Sequence, residues 1–503
     1  MKMDSLPYQM FTTSEIRNIE RFHATTSGGD CYDLMRLAGR ALVNEIKRRA
    51  PHSKLVWIFV GGGNNGGDGY AAASELIGQG LGVRVFASGA PHENSEARRA
   101  CGDFISKGGI VETLLPEKSD PRPDVIIDAL LGTGVRSSPR PPIDEWIMFI
   151  NSSRAQVISA DIPSGLNADT GCAMGECVRA DSTVCMLALK PGLFTGEAVD
   201  YCGQVVCDPL GIDIKAFSDR KLTGGLPLTR QSYTDILPDL PQRLRSCNKG
   251  DNGKVLIIAG GRGMGGAAAI AGTGALRAGA GLVKVACDPS NVQMLCSIHP
   301  ELMTVDFNDD EAVKKALAWC DTVAIGPGLS VRQRSEDLVH MVLSSGRDCV
   351  FDADALNILS QGQREARTNR IITPHPAEAA RLLGCTVQEI EQDRLTAARQ
   401  LQSVYGGVVL LKGAGTVIAD GRGVTVISGG SPALASGGMG DLLTGIIAAL
   451  CAGELTQKQA AVFGACIHAR AGEIAEGEYG AAGTLPTDLE ESIRRLVNGR
   501  AVI

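Results

Sequence analysis

The chain has 503 residues, 44% hydrophobic and 21% charged, a globular composition long enough for two to four domains. Its net charge of -7, with Lys and Arg dispersed, leaves no basic surface for nucleic acid or an anionic membrane. The 15 cysteines are odd in number and form no CxxC pair, which excludes a simple disulfide framework or zinc knuckle and favours reduced thiols. No secretory leader opens the sequence and no apolar run is long enough to span a bilayer, so a cytoplasmic location is expected.

In chain order, helical patterning covers Ser14 to Thr26 and Asp33 to Arg49. Short apolar, β-branched strands follow at Lys54 to Val60, Val83 to Ala87, Asp124 to Ile127 and Gln156 to Ala160, with helical stretches between them. This alternation predicts an α/β domain with a mostly parallel sheet. The Gly- and Pro-rich stretch from Lys221 to Gln242 loses periodicity, and the domains are placed at 1–222 and 242–503 with a linker at 223–241. The rhythm then restarts. Strands are predicted at Lys254 to Ala259, Leu282 to Ala286, Thr322 to Ile325, Cys349 to Phe351, Arg370 to Ile372 and Val408 to Leu411. A small-residue helix is predicted at Ala267 to Ala278, and the chain turns helical after Asp441.

Three strand ends of the first half carry polar cargo. Gly61 to Gly69 (GGGNNGGDG) reads as a strand-to-helix turn with a helix starting near Tyr70, and it holds Asn64, Asn65 and Asp68, which a plain turn does not need. Asp128 precedes Leu131-Gly132-Thr133-Gly134, and Asp161 precedes Ile162-Pro163-Ser164-Gly165. Either Asp taken singly fits a helix N-cap, but parallel strand ends share one edge, where ligands bind. Oxygen donors from Asn, Asp and Ser suit a hard cation rather than zinc.

These motifs, in this order, resemble the NAD(P)H-hydrate epimerase family over about Thr12 to Asp213. The resemblance implies a Rossmann-like fold and hydrate binding by Asn64, Asn65, Gly66, Gly67, Asp68, by Gly132, Thr133, Gly134, Val135, Arg136, Ser137 and Ser138, and by Asp161. It also implies potassium at Asn65, Asp128 and Ser164. Asp161 is expected to move the proton while hydroxide leaves C6 and water returns to the other face.

In the second half, Ser436-Gly437-Gly438-Met439-Gly440-Asp441 runs into an apolar helix. Successive glycine amides at a helix start form an anion hole, and an Asp there can accept a proton from a hydroxyl being phosphorylated. A first-turn acid serving only the helix dipole is the plainer alternative for Asp441. Lys412-Gly413-Ala414-Gly415-Thr416, Gly326-Pro327-Gly328-Leu329 and Thr373-Pro374-His375-Pro376 each follow a strand. His375 fits a structural role as well as a functional one. Asp352 and Asp354 fit water-mediated magnesium binding and helix capping equally. Together these motifs resemble the ribokinase-like, ADP- or ATP-dependent NAD(P)H-hydrate dehydratase family over about Gln242 to Asn498.

That resemblance implies hydrate contacts at Ala267, Gly328, His375 and Asp441, and nucleotide contacts at Lys412, Gly413, Ala414, Gly415, Thr416 and Gly440. It implies ADP as co-substrate with Mg2+, NADHX and NADPHX as substrates, and a homo-oligomer. Ala377, Ser330 and Ser431 depart from the usual pattern near these loops without touching Gly440 or Asp441. Two rivals remain: a vitamin or sugar kinase with an accessory domain, and a non-catalytic binding module like the domain found in mRNA-decapping scaffolds. The first does not need the Asn- and Asp-loaded motifs of the first half, and the second predicts their erosion.

Overall fold

The computed structural model describes residues 6–26, 31–217, 226–362 and 365–500. It divides into two compact units, Met1–Arg230 and Gln231–Ile503.

Unit 1 is built on a seven-stranded sheet. In chain order its strands are β1 (Leu55–Val60), β2 (Gly82–Ala87), β3 (Val111–Glu112), β4 (Val125–Ala129), β5 (Gln156–Ala160), β6 (Ser182–Met186) and β7 (Gln204–Asp208). In space the order is β3-β2-β1-β4-β5-β6-β7, and every pairing is parallel. The period of two along β1 loads both faces. Val56, Ile58 and Val60 enter a core shared with helices α2 (Cys31–Arg49), α3 (Asn64–Gly78) and α4 (Glu96–Ser106). Trp57 and Phe59 enter an aromatic core against α5 (Ile143–Ser152), where Phe59 meets Trp146 edge-on at 5.9 Å. The first helix, α1 (Thr13–Thr26), precedes them in the chain.

Unit 2 carries strands β8 (Lys254–Ile258), β9 (Leu282–Cys287), β10 (Met303–Asp306), β11 (Thr322–Ile325), β12 (Asp348–Phe351), β13 (Arg370–Ile372), β14 (Val408–Leu411), β15 (Val417–Asp420) and β16 (Gly423–Ile427). Their spatial order is β16-β15-β14-β13-β12-β11-β8-β9-β10. The two pairings among β14, β15 and β16 are antiparallel and the rest parallel. The helices that matter to function are α6 (Gly265–Arg277), α7 (Ala353–Gln361), α8 (Pro376–Leu383), α9 (Arg394–Tyr405), α10 (Met439–Ala452) and α11 (Gln457–Tyr479). The helices α6, α10 and α11 share one core with the sheet. Helix α10 reads apolar nearly all round because it is buried nearly all round.

Beyond strands that the apolar pattern does not mark, the structure differs from the sequence reading in three places. The helix expected near Tyr70 begins at Asn64, so GGGNNGGDG is mostly helix rather than loop. Glycine is required there by contact: a Cβ at Gly66 would lie 2.0 Å from the Gly61 carbonyl oxygen. Asp128 lies within β4 rather than after it. The stretch expected as a linker at 223–241 contains a strand, Leu228–Gln231, and a short helix, Tyr233–Ile236. That helix is fixed by a Ser-x-x-Asp capping box in which Ser232 donates its N–H (2.8 Å) and Oγ (2.6 Å) to Asp235. Residues 223–225 lie outside the described residues. All 15 cysteines are free thiols. Among the described residues no helix is long and apolar enough to cross a membrane.

Candidate active sites

In unit 1 the carboxyl ends of β1, β4, β5 and β6 release Gly61–Gly63, Leu130–Gly134, Asp161 and Met186–Lys190 onto one edge. They border a cavity of about 570 Å3, which Thr13, Ile16 and Glu20 of α1 and Leu34 and Met35 of α2 line as well. Asp161 sits at φ +65°, in the left-handed region that a non-glycine residue enters only where its surroundings hold it. What holds it is visible. Its Oδ1 accepts from the Met186 N–H at 2.9 Å and from the Lys190 ammonium. Lys190 is 1% exposed, donates to the Met186 carbonyl at 2.8 Å and lies 3.5 Å from Cys185 Sγ. Burial depresses Lys190, but the Asp161 carboxylate together with the Cys185 and Cys207 sulfurs outweighs it, and the ammonium is held above its ordinary range.

Three further acids line the same cavity, Asp68, Glu20 and Glu96, and the first two are perturbed. Asp68, in the second turn of α3, is pushed well above the usual carboxylate range, first by burial, then by Asp161 and Glu20. Glu20 is raised too, by burial and by Asp161, against the pull of Lys190, Arg17 and Arg21.

Behind the cavity wall, Asp128 is fully buried and accepts from Ser164 Oγ at 2.5 Å, Ser164 N at 2.9 Å and Ser159 Oγ at 2.8 Å. No Lys, Arg or His pairs with it among the described residues, and burial raises it. Asn65 Nδ2 donates to the Leu131 carbonyl at 2.9 Å, and the Leu131 N–H donates to Ser164 Oγ at 2.8 Å. So Asn65, Asp128 and Ser164 gather around one loop.

Of the residues expected to touch substrate here, Asn64, Asn65, Asp68, Gly132, Thr133, Gly134 and Asp161 line the cavity. Gly66 and Gly67 are turned into helix packing, against Gly61 and Met35. Val135, Arg136, Ser137 and Ser138 lie beyond the wall. Arg136 instead ties the loop to α1 and to Asp169, donating to Thr13 Oγ1 at 2.8 Å and Asp169 Oδ2 at 2.9 Å.

In unit 2 the helix α10 starts from Gly438 at φ +89°, a conformation that only glycine enters freely. Asp441 stands in its first turn, half-buried and pushed up to about 7, first by burial, then by Asp352, with Lys412 opposing. Lys412 Nζ donates to Asp352 Oδ1 at 2.7 Å, and Thr444 Oγ1, one turn after Asp441, donates to Asp352 Oδ2 at 2.7 Å. A Cβ at Gly440 would lie 3.2 Å from Lys412 Nζ, so a side chain there would crowd the ammonium at the helix start. Asp352 stands at the N-cap position of α7 without capping it, its carboxylate turned to Lys412 and Thr444 instead. Asp354 accepts from the Ser330 N–H at 2.7 Å, and Ser330 itself sits at φ +66°.

The remaining expected residues are placed as follows. A Cβ at Gly328 would lie 3.0 Å from Ala267 Cβ, so these two are adjacent. His375 Nδ1 accepts from Ala377 N at 3.1 Å as the N-cap of α8, which fixes Nδ1 unprotonated. Burial and then Lys412 lower His375, while Glu378 beside it is pushed up to about 7, chiefly by burial. The loop from Gly413 to Thr416 is closed by Thr416 Oγ1 donating to Gly413 O at 3.2 Å. Buried Arg394 donates to the Lys412 carbonyl at 2.9 Å and so sets that loop from below.

Sequence reasoning missed Lys190, Glu20, Thr444 and Arg394. Only Lys190 carries a local signal, since Lys-Pro-Gly follows a strand, although one that the apolar pattern does not mark.

A family model described as NAD(P)H-hydrate dehydratase matches residues 255–495, and one described as YjeF-related protein N-terminus matches residues 31–192. The bifunctional NAD(P)H-hydrate repair enzyme Nnr of Escherichia coli is 40% identical over 98% of this chain and 95% of its own. Its namesake in Vibrio cholerae is 39% identical over 98% and 99%. A ribokinase-like superfamily protein from Enterococcus faecalis superposes with a TM-score of 0.50 at 27% identity, covering 54% of this chain and 95% of that one. Two catalytic folds, each with its own acid at a sheet edge, and relatives matched from end to end place this chain in the family of bifunctional NAD(P)H-hydrate repair enzymes.

Proposed function

We propose that unit 1 interconverts the R and S epimers of hydrated NADH and NADPH, and that unit 2 uses ADP to dehydrate the S epimer, releasing AMP and phosphate. The observation that carries this is a carboxylate and a lysine at each sheet edge: Asp161 paired with Lys190, and Asp441 in the first turn of α10 over the Lys412–Asp352 pair. In unit 1 the ring nitrogen expels hydroxide from C6, water re-adds to the other face, and Asp161 handles the proton. In unit 2 Asp441 takes the proton of the C6 hydroxyl as the terminal phosphoryl of ADP is transferred to it. The Gly438 to Gly440 backbone and Lys412 offset the phosphoryl charge. The ring nitrogen then expels phosphate, a proton leaves C5, and the dihydronicotinamide is restored. Ala267, Gly328 and His375 would border the hydrate, and Gly413 to Thr416 the nucleotide.

Potassium fits unit 1, because the buried Asp128 has no cationic partner among the described residues and Asn65 and Ser164 add neutral oxygens. It would be held by those three residues and would supply fixed positive charge beside the hydrate's phosphates. Mg2+ fits unit 2 as an ion arriving on the nucleotide. No group of three or more His, Cys, Asp or Glu is arranged to cage a metal among the described residues, while Asp352, Asp354, Glu378 and Asp441 outnumber Lys412.

The deciding experiment incubates mixed hydrate epimers with ADP or ATP and follows each species by chromatography. The expected result is loss of both epimers with equal gain of AMP, phosphate and reduced cofactor. A stable phosphorylated product, or survival of the R epimer, would overturn it.

A further inference from the structure

We propose that Asp68 and Asp161 form an acid–base pair across the unit 1 cavity, with Lys190 the positioning residue that fixes which of them is the base. This rests on the epimerase reading of unit 1. Both carboxyls line the one cavity, from different elements: Asp68 from α3 and Asp161 from the end of β5. They are treated oppositely. Asp161 accepts from an ammonium and a backbone N–H, interactions that belong to the ionised form. Asp68 has no hydrogen-bond or ion-pair partner among the described residues, and its strongest neighbours, Asp161 and Glu20, are acids. Two carboxyls in one cleft, one held by an ammonium and an N–H and the other facing acids, divide the roles of acid and base. The other titratable or charged groups facing them are Glu20 and Arg17 of α1, Cys31 of α2, Glu96 of α4 and Lys190 itself.

The chemistry balances. The Asp68 proton passes to the C6 hydroxyl as the C6–O bond breaks and water leaves, while the ring nitrogen's lone pair forms the N1–C6 double bond. A second water attacks C6 from the opposite face, its proton goes to the Asp161 carboxylate, and the electron pair returns to nitrogen. Only the configuration at C6 has changed. Asp68 is left ionised and Asp161 protonated, and exchange with cavity water resets the pair. Lys190 never touches the substrate in this scheme. It holds Asp161 in its left-handed conformation and supplies the charge that keeps it the base.

The test uses the full chain and chiral separation of the hydrates across pH. Asp68→Asn removes a proton and no hydrogen bond, so folding is expected to persist. It should lower epimerisation kcat by about 100-fold or more and abolish the alkaline limb of the kcat/KM profile. Asp68→Glu should restore that limb. Lys190→Met should shift the acid limb to higher pH, because the carboxylate has lost the cation beside it, a change that a merely structural role would not produce. If Lys190→Met fails to fold by limited proteolysis, the two Asp68 variants decide alone. Asp68→Asn within threefold of the parent, or with both limbs intact, overturns the pairing. A parallel Lys190→Met profile overturns the positioning role. If Asp161→Asn also retains full interconversion, the epimerase reading of the site fails, whereas loss in Asp161→Asn with retention in Asp68→Asn sinks the pairing only.

Discussion

The two units solve the same problem in opposite ways. In unit 1 the carboxylate proposed to do the work, Asp161, has its lysine in direct contact and its backbone in the left-handed region to meet it. In unit 2 the lysine is spent on a different acid: Lys412 binds Asp352, and Asp441 is left half-buried among carboxylates at about 7. In unit 1 the counter-charge to Asp161 comes from the chain itself, so that carboxylate needs no added cation. An excess of acid around one lysine suits a site completed by a cation-bearing nucleotide, whose metal then cancels the repulsion. The lesson is that a carboxylate's partner says what the site is waiting for.

The comparison breaks most visibly in reciprocal variants. Asp161→Asn should lower epimerisation by about 100- to 10,000-fold and leave dehydration of pure S epimer intact. Asp441→Ala should lower ADP-dependent recovery of dihydronicotinamide absorbance by about 100- to 1,000-fold and leave epimerisation intact. Either variant losing both activities would mean that the units do not work independently. The pH response is the next largest effect. Asp441 is pushed up to about 7, so its basic form dominates above that value. Dehydration kcat/KM should therefore rise through about pH 7 and level off, falling about tenfold per unit on the acid side. A rate flat from pH 5 to 8 would deny Asp441 the role of base.

Much of this architecture is legible in the sequence, because strand ends advertise themselves. An apolar, β-branched run breaking into Gly, Asn or Asp is enough to place Asn65 and Asp161 at a sheet edge, and the glycine run ahead of an apolar helix does the same for Asp441. What stays hidden has a common cause. Lys190 and Arg394 act through contacts that folding creates, to Asp161 and to the Lys412 carbonyl, and little in the local sequence marks them. Strand β6 (STVCM) escapes the pattern because Ser, Thr and Cys dilute an apolar run that is nevertheless wholly buried. The start of α3 is displaced in the sequence reading because glycine reads as a loop former, whereas Gly66, Gly67 and Gly69 are glycine to let the helix pack closely.

Two smaller effects sharpen the contrast between a buried acid that has its cation and one that has none. Ser164→Ala removes the 2.5 Å donor from Asp128, a fully buried carboxylate with no ion-pair partner among the described residues, and should cost about 2 kcal/mol. Thermal unfolding in potassium and in potassium-free buffer separates the causes. The parent's Tm should rise with potassium and the variant should lose that increment, while equal increments would remove Ser164 from the ion's site. Thr444→Val makes the matching change at Asp352, deleting a 2.7 Å donor from an equally buried carboxylate. There Lys412 remains at 2.7 Å to carry the charge, so the loss should be only about 1 kcal/mol and insensitive to potassium. If Thr444→Val proved the costlier of the two, the ammonium of Lys412 could not be what stabilises Asp352, and the assignment of Lys412 to that acid rather than to Asp441 would have to be reversed.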